Sequence, residues 1–291
     1  MEGPTPVSSL IHAATLVTAG VYLLLRCTFL VELSPSTLAL VCIIGGLTTI
    51  LAGTAGLVQH DLKAIIAFST ASQLGFIFLG CGVGLFHISF FHLVNHAYFK
   101  ATLFLCAGSA IHSVQGEQDL RRLGGLASFL PVTFNAMFFS SLSLSGFFGL
   151  AGFYSKDFLI ESALLSYIFT GFFAEQVLLS YVLLVTTLFT SIYSFRLLFL
   201  LFFNNVQMYK VHFLFVEESG WKISSCLVFL CILSVVSGFV LQDLFVGLGV
   251  PAVRLFTAPA NFFLFEVESF LHPFVKFSAI YLFFAGITLL A

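Results

Sequence analysis

The chain has 291 residues, 59% of them hydrophobic and only 8% charged, with a formal net charge of −2 and a mean hydropathy of +1.10. Soluble domains carry roughly 25% charged residues, so this composition excludes a soluble globular fold, and the balance of charge offers no basic surface for nucleic acid. Six cysteines, Cys27, Cys42, Cys81, Cys106, Cys226 and Cys231, lie inside apolar runs without C-x-x-C spacing, which reads as small buried hydrophobes and indicates neither a zinc site nor a disulfide framework.

The expected fold is an all-α polytopic membrane protein of about eight transmembrane helices, each long enough at about 20 residues to cross a bilayer of about 30 Å. The apolar stretches run roughly over 6–31, 36–58, 63–84, 86–113, 127–165, 174–205, 223–244 and 271–291. Residues 1–205 are expected to form one helix bundle, and 206–291 loops with two further spans. Pro6 suits only a first helical turn, so the first span begins close to Met1, with His12 about two turns in. The start lacks the basic region and cleavage site of a signal peptide, and 39 Phe, encoded by T-rich codons, hint at an organellar or bacterial genome.

Between the second and third spans stand Asp61 and Lys63. They read either as interfacial charges, with the acid favoured at a helix N-terminus, or as the mouth of a half-channel, since Ser69, Thr70, Ser72 and Gln73 give the next helix groups that hold water. In the fourth span His92, His96 and Lys100 step around a helix by roughly 40° and rise about 6 Å each, forming one polar stripe. A lysine in hydrocarbon costs roughly 2.5 to 3.5 kcal/mol on insertion scales and normally faces a hydrated interior on an ion or proton path. Histidine titrates near neutrality, which gives the stripe the geometry of a relay. Helix-to-helix hydrogen bonding and metal ligation by the i, i+4 histidine pair are the alternatives, the second without any acidic or cysteine ligand nearby.

The loop Glu117–Gly125 is the most charged short segment and reads as surface. With it, Lys63, Arg121, Arg122, Lys210 and Lys222 fall on one side of the membrane, against Arg26, Arg254 and Lys276 on the other, which favours the N-terminus on the negative side. The fifth span is too long for one straight crossing. Gly146, Gly149 and Gly152, followed by Lys156 and Asp157, predict a helix broken in mid-membrane, where transporters place ion sites; the alternative is an interfacial Lys-Asp pair ending a short helix. Glu161 extends a polar exit, and Arg196 ends the sixth span, where snorkelling accounts for it better than a functional role. The stretch holding Pro251, Arg254, Pro259, Glu266, Glu268 and Pro273 reads as extramembrane. No P-loop, Rossmann glycine pattern or C-x-x-C-H occurs.

Five words in order, MEGPTPVSSLIHAATLVTAGVYLL at the start, HDLKAIIAFSTASQLG, FHLVNHAYFKATLFLCAGSAIH, LGGL and LAGFYSKDFLIE, resemble the antiporter-like membrane subunits of respiratory NADH:ubiquinone oxidoreductase (complex I), a family related to multisubunit sodium/proton antiporters. The resemblance covers roughly residues 1–200 and implies a proton-translocating subunit of the mitochondrial inner membrane or, less readily, a bacterial plasma membrane. It puts the central relay lysine at Lys100 beside His92 and His96, the exit lysine at Lys156 with Asp157, a linking histidine at His12, and the family's charged pair at Asp61 and Lys63. It also implies no cofactor in this chain, with flavin, iron-sulfur clusters and ubiquinone in other subunits. Expected partners are membrane lipids, other membrane-arm subunits, and a separate polypeptide supplying the N-terminal half with its glutamate-lysine input site, across an interface that His12 and Lys100 would face. Where the family has Gly-x-Pro-Phe, this chain has Gly146-Phe147-Phe148-Gly149, so glycine must break the helix without proline. The large subunit of a sodium/proton antiporter and a scaffold remnant that pumps nothing are the rival readings.

Overall fold

The computed structural model describes residues 3–170, 174–206, 216–246 and 277–289, except for the side chains of 165–170 and 174–180. Helix α1 (Thr5–Arg26) begins with proline in its first turn, where a missing N–H is harmless. It widens into a π-helical segment over Ser8–Thr15. The chain then bends at Cys27 into the short helix α2 (Thr28–Glu32), so the regular part of the first span stops earlier than the apolar run does.

Helices α3 (Pro35–Val58) and α4 (Leu62–Gly82) follow as an antiparallel pair. The buried side of α3 is rich in small residues, Gly45, Gly46, Gly53 and Gly56, which let backbones approach closely where lipid supplies no hydrophobic drive between helices. Helix α5 (Phe86–Ser113) packs against α4 and against the π-helical segment of α1. Its C-terminal loop returns to the α3–α4 turn: the Leu62 amide donates to the Gln118 carbonyl and the Leu120 amide to that of His60, each at 3.0 Å. The charged loop therefore lies at one membrane face. There Arg121 and Asp119 pair at 2.6 Å with the arginine largely exposed, as surface structure should be.

Helix α6 (Pro131–Ser145) stops at Gly146, whose φ is 86°. The Phe147 amide reaches back to the Leu142 carbonyl at 3.0 Å and the Gly146 amide to that of Ser143 at 3.2 Å, the Schellman pattern that satisfies terminal carbonyls. Gly149, with φ 81°, makes a second left-handed turn that a residue with a Cβ adopts only under strain. The helix resumes through a π-helical turn (Phe153–Asp157) into α7 (Phe158–Thr170). The predicted break is present, and two glycines make it without proline.

Helix α8 (Ala174–Leu198) runs on through a π-helical turn at Phe199–Phe203. Helix α9 (Trp221–Phe245) packs against α5 and α6, and α10 (Ser278–Thr288) against α8. Among the described residues, five helices are long and apolar enough to cross a membrane: Thr5–Arg26, Pro35–Val58, Leu62–Gly82, Tyr181–Phe203 and Trp221–Phe245. The other expected spans are α5, whose polar stripe lowers its hydropathy, the broken pair α6 and α7, and α10. The segment of Pro251, Arg254, Glu266, Glu268 and Lys276, like Lys210, lies outside the described residues.

Candidate functional site

Helix α5 carries its stripe inward. His92, His96 and Lys100 are each fully buried, and eight residues at about 1.5 Å each separate the first from the last by about 12 Å. The antiparallel partner α4 meets this stripe in register. Ser69 Oγ accepts from Lys100 Nζ, and one turn further along, Gln73 Oε1 lies 3.2 Å from His92 Nε2. The amide oxygen only accepts, so Nε2 donates to it and Nδ1 is left to accept from the Ser155 hydroxyl at 2.9 Å. Between them His96 stacks edge-on to Phe99 at 5.4 Å and stands 6.5 Å from the His92 ring. Neither His96 ring nitrogen has a hydrogen-bond partner among the described residues.

The break delivers Lys156 to the other end of this line. Because α6 ends in mid-bundle, the chain carrying Ser155 and Lys156 turns back into the interior, and both are fully buried. Lys156 Nζ donates to Thr190 Oγ1 at 2.8 Å and faces the Leu144 carbonyl at 3.5 Å. It stands 6.0 Å from the Phe76 ring centre, within cation–π range. Asp157 is buried beside it, with Oδ2 unpartnered among the described residues, and Glu161 follows one turn on, also buried. An interfacial pair at a helix end is thereby replaced by a buried one. His92, His96, Lys100, Lys156 and Asp157 are thus all buried within an apolar bundle, with Ser69 on Lys100, Gln73 and Ser155 on His92, and Thr190 on Lys156.

The other expected residues lie elsewhere. Asp61 is exposed at the N-cap of α4, which is the interfacial place. Lys63 is buried two residues on, its Nζ 3.3 Å from the Gly3 carbonyl. His12 is half-buried in the π-helical segment of α1 that packs on α5. The expectation that Lys100 faces an interface left open by this chain is corrected, because α4 and its Ser69 close over the side chain and leave it no exposure. Arg196 does not simply snorkel either. It donates to the Leu57 carbonyl in the last turn of α3 and reaches His60 Nδ1 at 3.1 Å, where a cation suits helix-end carbonyls. Among the described residues no group of three or more His, Cys, Asp or Glu side chains converges on a point, and both His92 nitrogens are engaged otherwise.

Sequence reasoning passed over Thr190, Asn95 and the role of Ser155. Thr190 had a signal: Thr186, Thr187, Thr190, Ser191 and Ser194 recur at helical spacing and are all buried. The partners of Asn95 lie 56 and 142 residues away, beyond the reach of local pattern.

Residues 1–183 match the family model described as "NADH:quinone oxidoreductase/Mrp antiporter, TM". The chain is 45% identical over 278 residues to NADH-ubiquinone oxidoreductase chain 5 of Mycosarcoma maydis, covering 95% of this chain and 40% of that one. It is 56% identical over 171 residues to the chain 5 protein of Allomyces macrogynus, covering 59% and 27%. Among solved structures, the Mrp complex from Dietzia sp. DQ12-45-1b superposes with a TM-score of 0.77 at 27% identity, over 99% of this chain and 30% of that one. The chain spans 40% and 27% of the length of these two curated relatives. With the family model matching residues 1–183, more than half of its length, the chain belongs to the NADH:quinone oxidoreductase/Mrp antiporter family of membrane subunits.

Proposed function

We propose that this chain carries the central and outward part of a proton path in the membrane arm of respiratory NADH:ubiquinone oxidoreductase. The observation that carries the reading is the pair of fully buried lysines, Lys100 and Lys156, each donating to a hydroxyl rather than paired with a counter-ion at a surface, with the buried His92 and His96 on the same helix as Lys100. Such charges are costly in a membrane interior and are retained where they move an ion. In this reading a proton passes between Lys100 and Lys156 by way of His96, whose free ring nitrogens suit a carrier, and His92 with Ser155. Asp157 and Glu161 lead onward from Lys156. Asp61, Lys63 and His12 stand off this line and serve at its inner mouth or at contacts with neighbouring helices.

The names of the curated relatives favour NADH:ubiquinone oxidoreductase, and the setting belonging to this reading is the mitochondrial inner membrane. NADH oxidation, flavin, iron-sulfur clusters and ubiquinone reduction then belong to other subunits. Other membrane-arm subunits are partners, and a separate polypeptide with the family's remaining helices belongs to the same proposal. The large subunit of a multisubunit cation/proton antiporter is the second reading, favoured by the likeness to the Mrp complex. The test is Lys100→Ala in the complete complex reconstituted into vesicles. Proton uptake driven by NADH oxidation should be lost while the subunit remains assembled, and unchanged uptake would overturn the proposal. Uptake driven instead by a sodium gradient, without NADH, would favour the antiporter.

A further inference from the structure

A helix break frees backbone groups that must find partners inside the bundle. At this break the Ala151 carbonyl is met by Asn95 Nδ2 of α5 at 3.3 Å; the Ser155 oxygen also stands 3.3 Å away, but its one proton is turned to His92 Nδ1. The Gly152 amide is met by Ser143 Oγ at 3.2 Å, whose own hydroxyl reaches the Ser234 carbonyl of α9 at 3.1 Å. The orientation of the Asn95 amide follows from its partners. A carbonyl can only accept, so the nitrogen faces Ala151 and Oδ1 is left to accept from Ser237 Oγ of α9 at 2.9 Å. Asn95, Ser143 and Ser234 are fully buried and Ser237 nearly so.

Ser237, like Ser143 and Ser72, differs from most hydroxyls of this bundle. Ser140, Ser145, Thr186, Ser191, Ser194 and Ser234 donate to carbonyls three or four residues back in their own helices. Ser237 instead reaches across to another helix. Its neighbour Gly238 leaves no room for a Cβ against the Ala151 backbone, so α9 touches the break directly and Ser237 meets Asn95 beside it.

We infer that Asn95, held by Ser237, is a positioning residue that fixes the broken helix against the relay helix and so sets where Lys156 stands relative to His92, His96 and Lys100. Asn95 and His92 lie about one turn apart on α5, and they grip Ala151 and Ser155, about one turn apart on the returning segment. Two points of attachment define both the distance and the tilt of that segment, and Lys156 is the next residue. Removing one grip leaves the segment hinged on the other. Asn95 itself takes and gives no proton on the path. The inference rests on the proton-path reading above.

The test uses the complete complex in sealed vesicles, reading NADH-driven proton uptake and electron transfer to quinone side by side, with assembly followed on native gels. Asn95→Leu removes the grip on Ala151 together with the bond to Ser237 and leaves that of His92 on Ser155, and Ser237→Ala removes only the support behind Asn95. A buried carbonyl left without a donor is worth about a ten-fold change in the population of the aligned arrangement. Both variants should therefore lower protons moved per electron while assembly and electron transfer persist. Ser237→Thr, which keeps the hydroxyl, should restore the ratio, and the double variant Asn95→Leu/Ser237→Ala should be no worse than Asn95→Leu alone. A residue that merely held the fold would lower assembly and both activities together, leaving the ratio unchanged, and that outcome overturns the inference. Should Asn95→Leu fail to assemble, Ser237→Ala and Ser237→Thr decide it alone. Lys100→Ala run in parallel separates the two claims. If it abolishes uptake while Ser237→Ala leaves the ratio intact, only the positioning role fails; if Lys100→Ala pumps normally, the path itself is wrong.

Discussion

Replacing Lys100 by arginine keeps a positive charge and a hydrogen-bond donor in the same place, so the substitution isolates one property, the ability to let go of a proton. Lys100 is fully buried and the hydrogen bond of its ammonium goes to a neutral hydroxyl, Ser69. With no carboxylate bonded to it, nothing in that contact favours one cation strongly over the other, and the intrinsic difference between the two side chains should carry over. Reference values near 10.4 for lysine and 12.5 to 13.8 for arginine differ by about two to three units, or about 3 to 5 kcal/mol at 1.36 kcal/mol per unit. A step that requires the neutral form then slows by about two to three orders of magnitude. The larger guanidinium also crowds Ser69, at a packing cost of about 1 to 3 kcal/mol, so assembly must be followed separately on native gels. The assay is NADH-driven proton uptake by vesicles holding the intact complex, normalised to the amount assembled. Uptake at the unaltered rate in Lys100→Arg would refute the claim that this side chain releases a proton in each cycle.

Two further substitutions probe the scaffold. At the break, Gly149→Ala meets open space and carries only the strain of its φ of 81°, about 1 to 2 kcal/mol, whereas an alanine Cβ at Gly152 would overlap the Ser143 carbonyl. Gly149→Ala should assemble with modestly lowered thermal stability and Gly152→Ala should not assemble with normal coupling; the reverse order, read by native gels and melting of the purified complex, would show the break to be placed wrongly. At the membrane face, the hydrogen bond from Arg121 holds the Asp119 carboxyl down at about 2, below the roughly 3.9 of a free aspartate. The stabilisation is therefore present above about pH 4 and lost as pH falls toward 2, and for so exposed a pair it amounts to no more than about 1 kcal/mol. Asp119→Asn should speed hydrogen exchange of residues 117–122 near neutral pH and lose that difference in acid, and a difference that persisted at pH 2 would refute the pairing.

How much of this could be read from the sequence depended on the range of the contact involved. The stripe of His92, His96 and Lys100 is a helical repeat within nine residues, and the break at Gly146 and Gly149 is a local backbone property, so both were legible. Asp61 and Lys63, two residues apart, gave no hint that the first is exposed and the second buried, because burial there depends on the distant Gly3 carbonyl. Asn95 looked like one more polar residue beside two histidines, since its meaning comes from Ala151 and Ser237, which no periodicity connects to it. The hydroxyls of α8 are the instructive intermediate. A serine or threonine in a membrane helix ordinarily turns its proton back to its own backbone, and Thr190 does so, donating to the Thr187 carbonyl at 2.7 Å. That local bond uses the proton and leaves the oxygen lone pairs free, and it is those that receive Lys156. A stripe of such hydroxyls thus offers acceptors alone, already satisfied as donors, which suits it to hold an ammonium without a counter-charge. Sequence spacing shows the stripe but cannot say which of its members meets the lysine, because that is decided by where the glycines turn the broken helix.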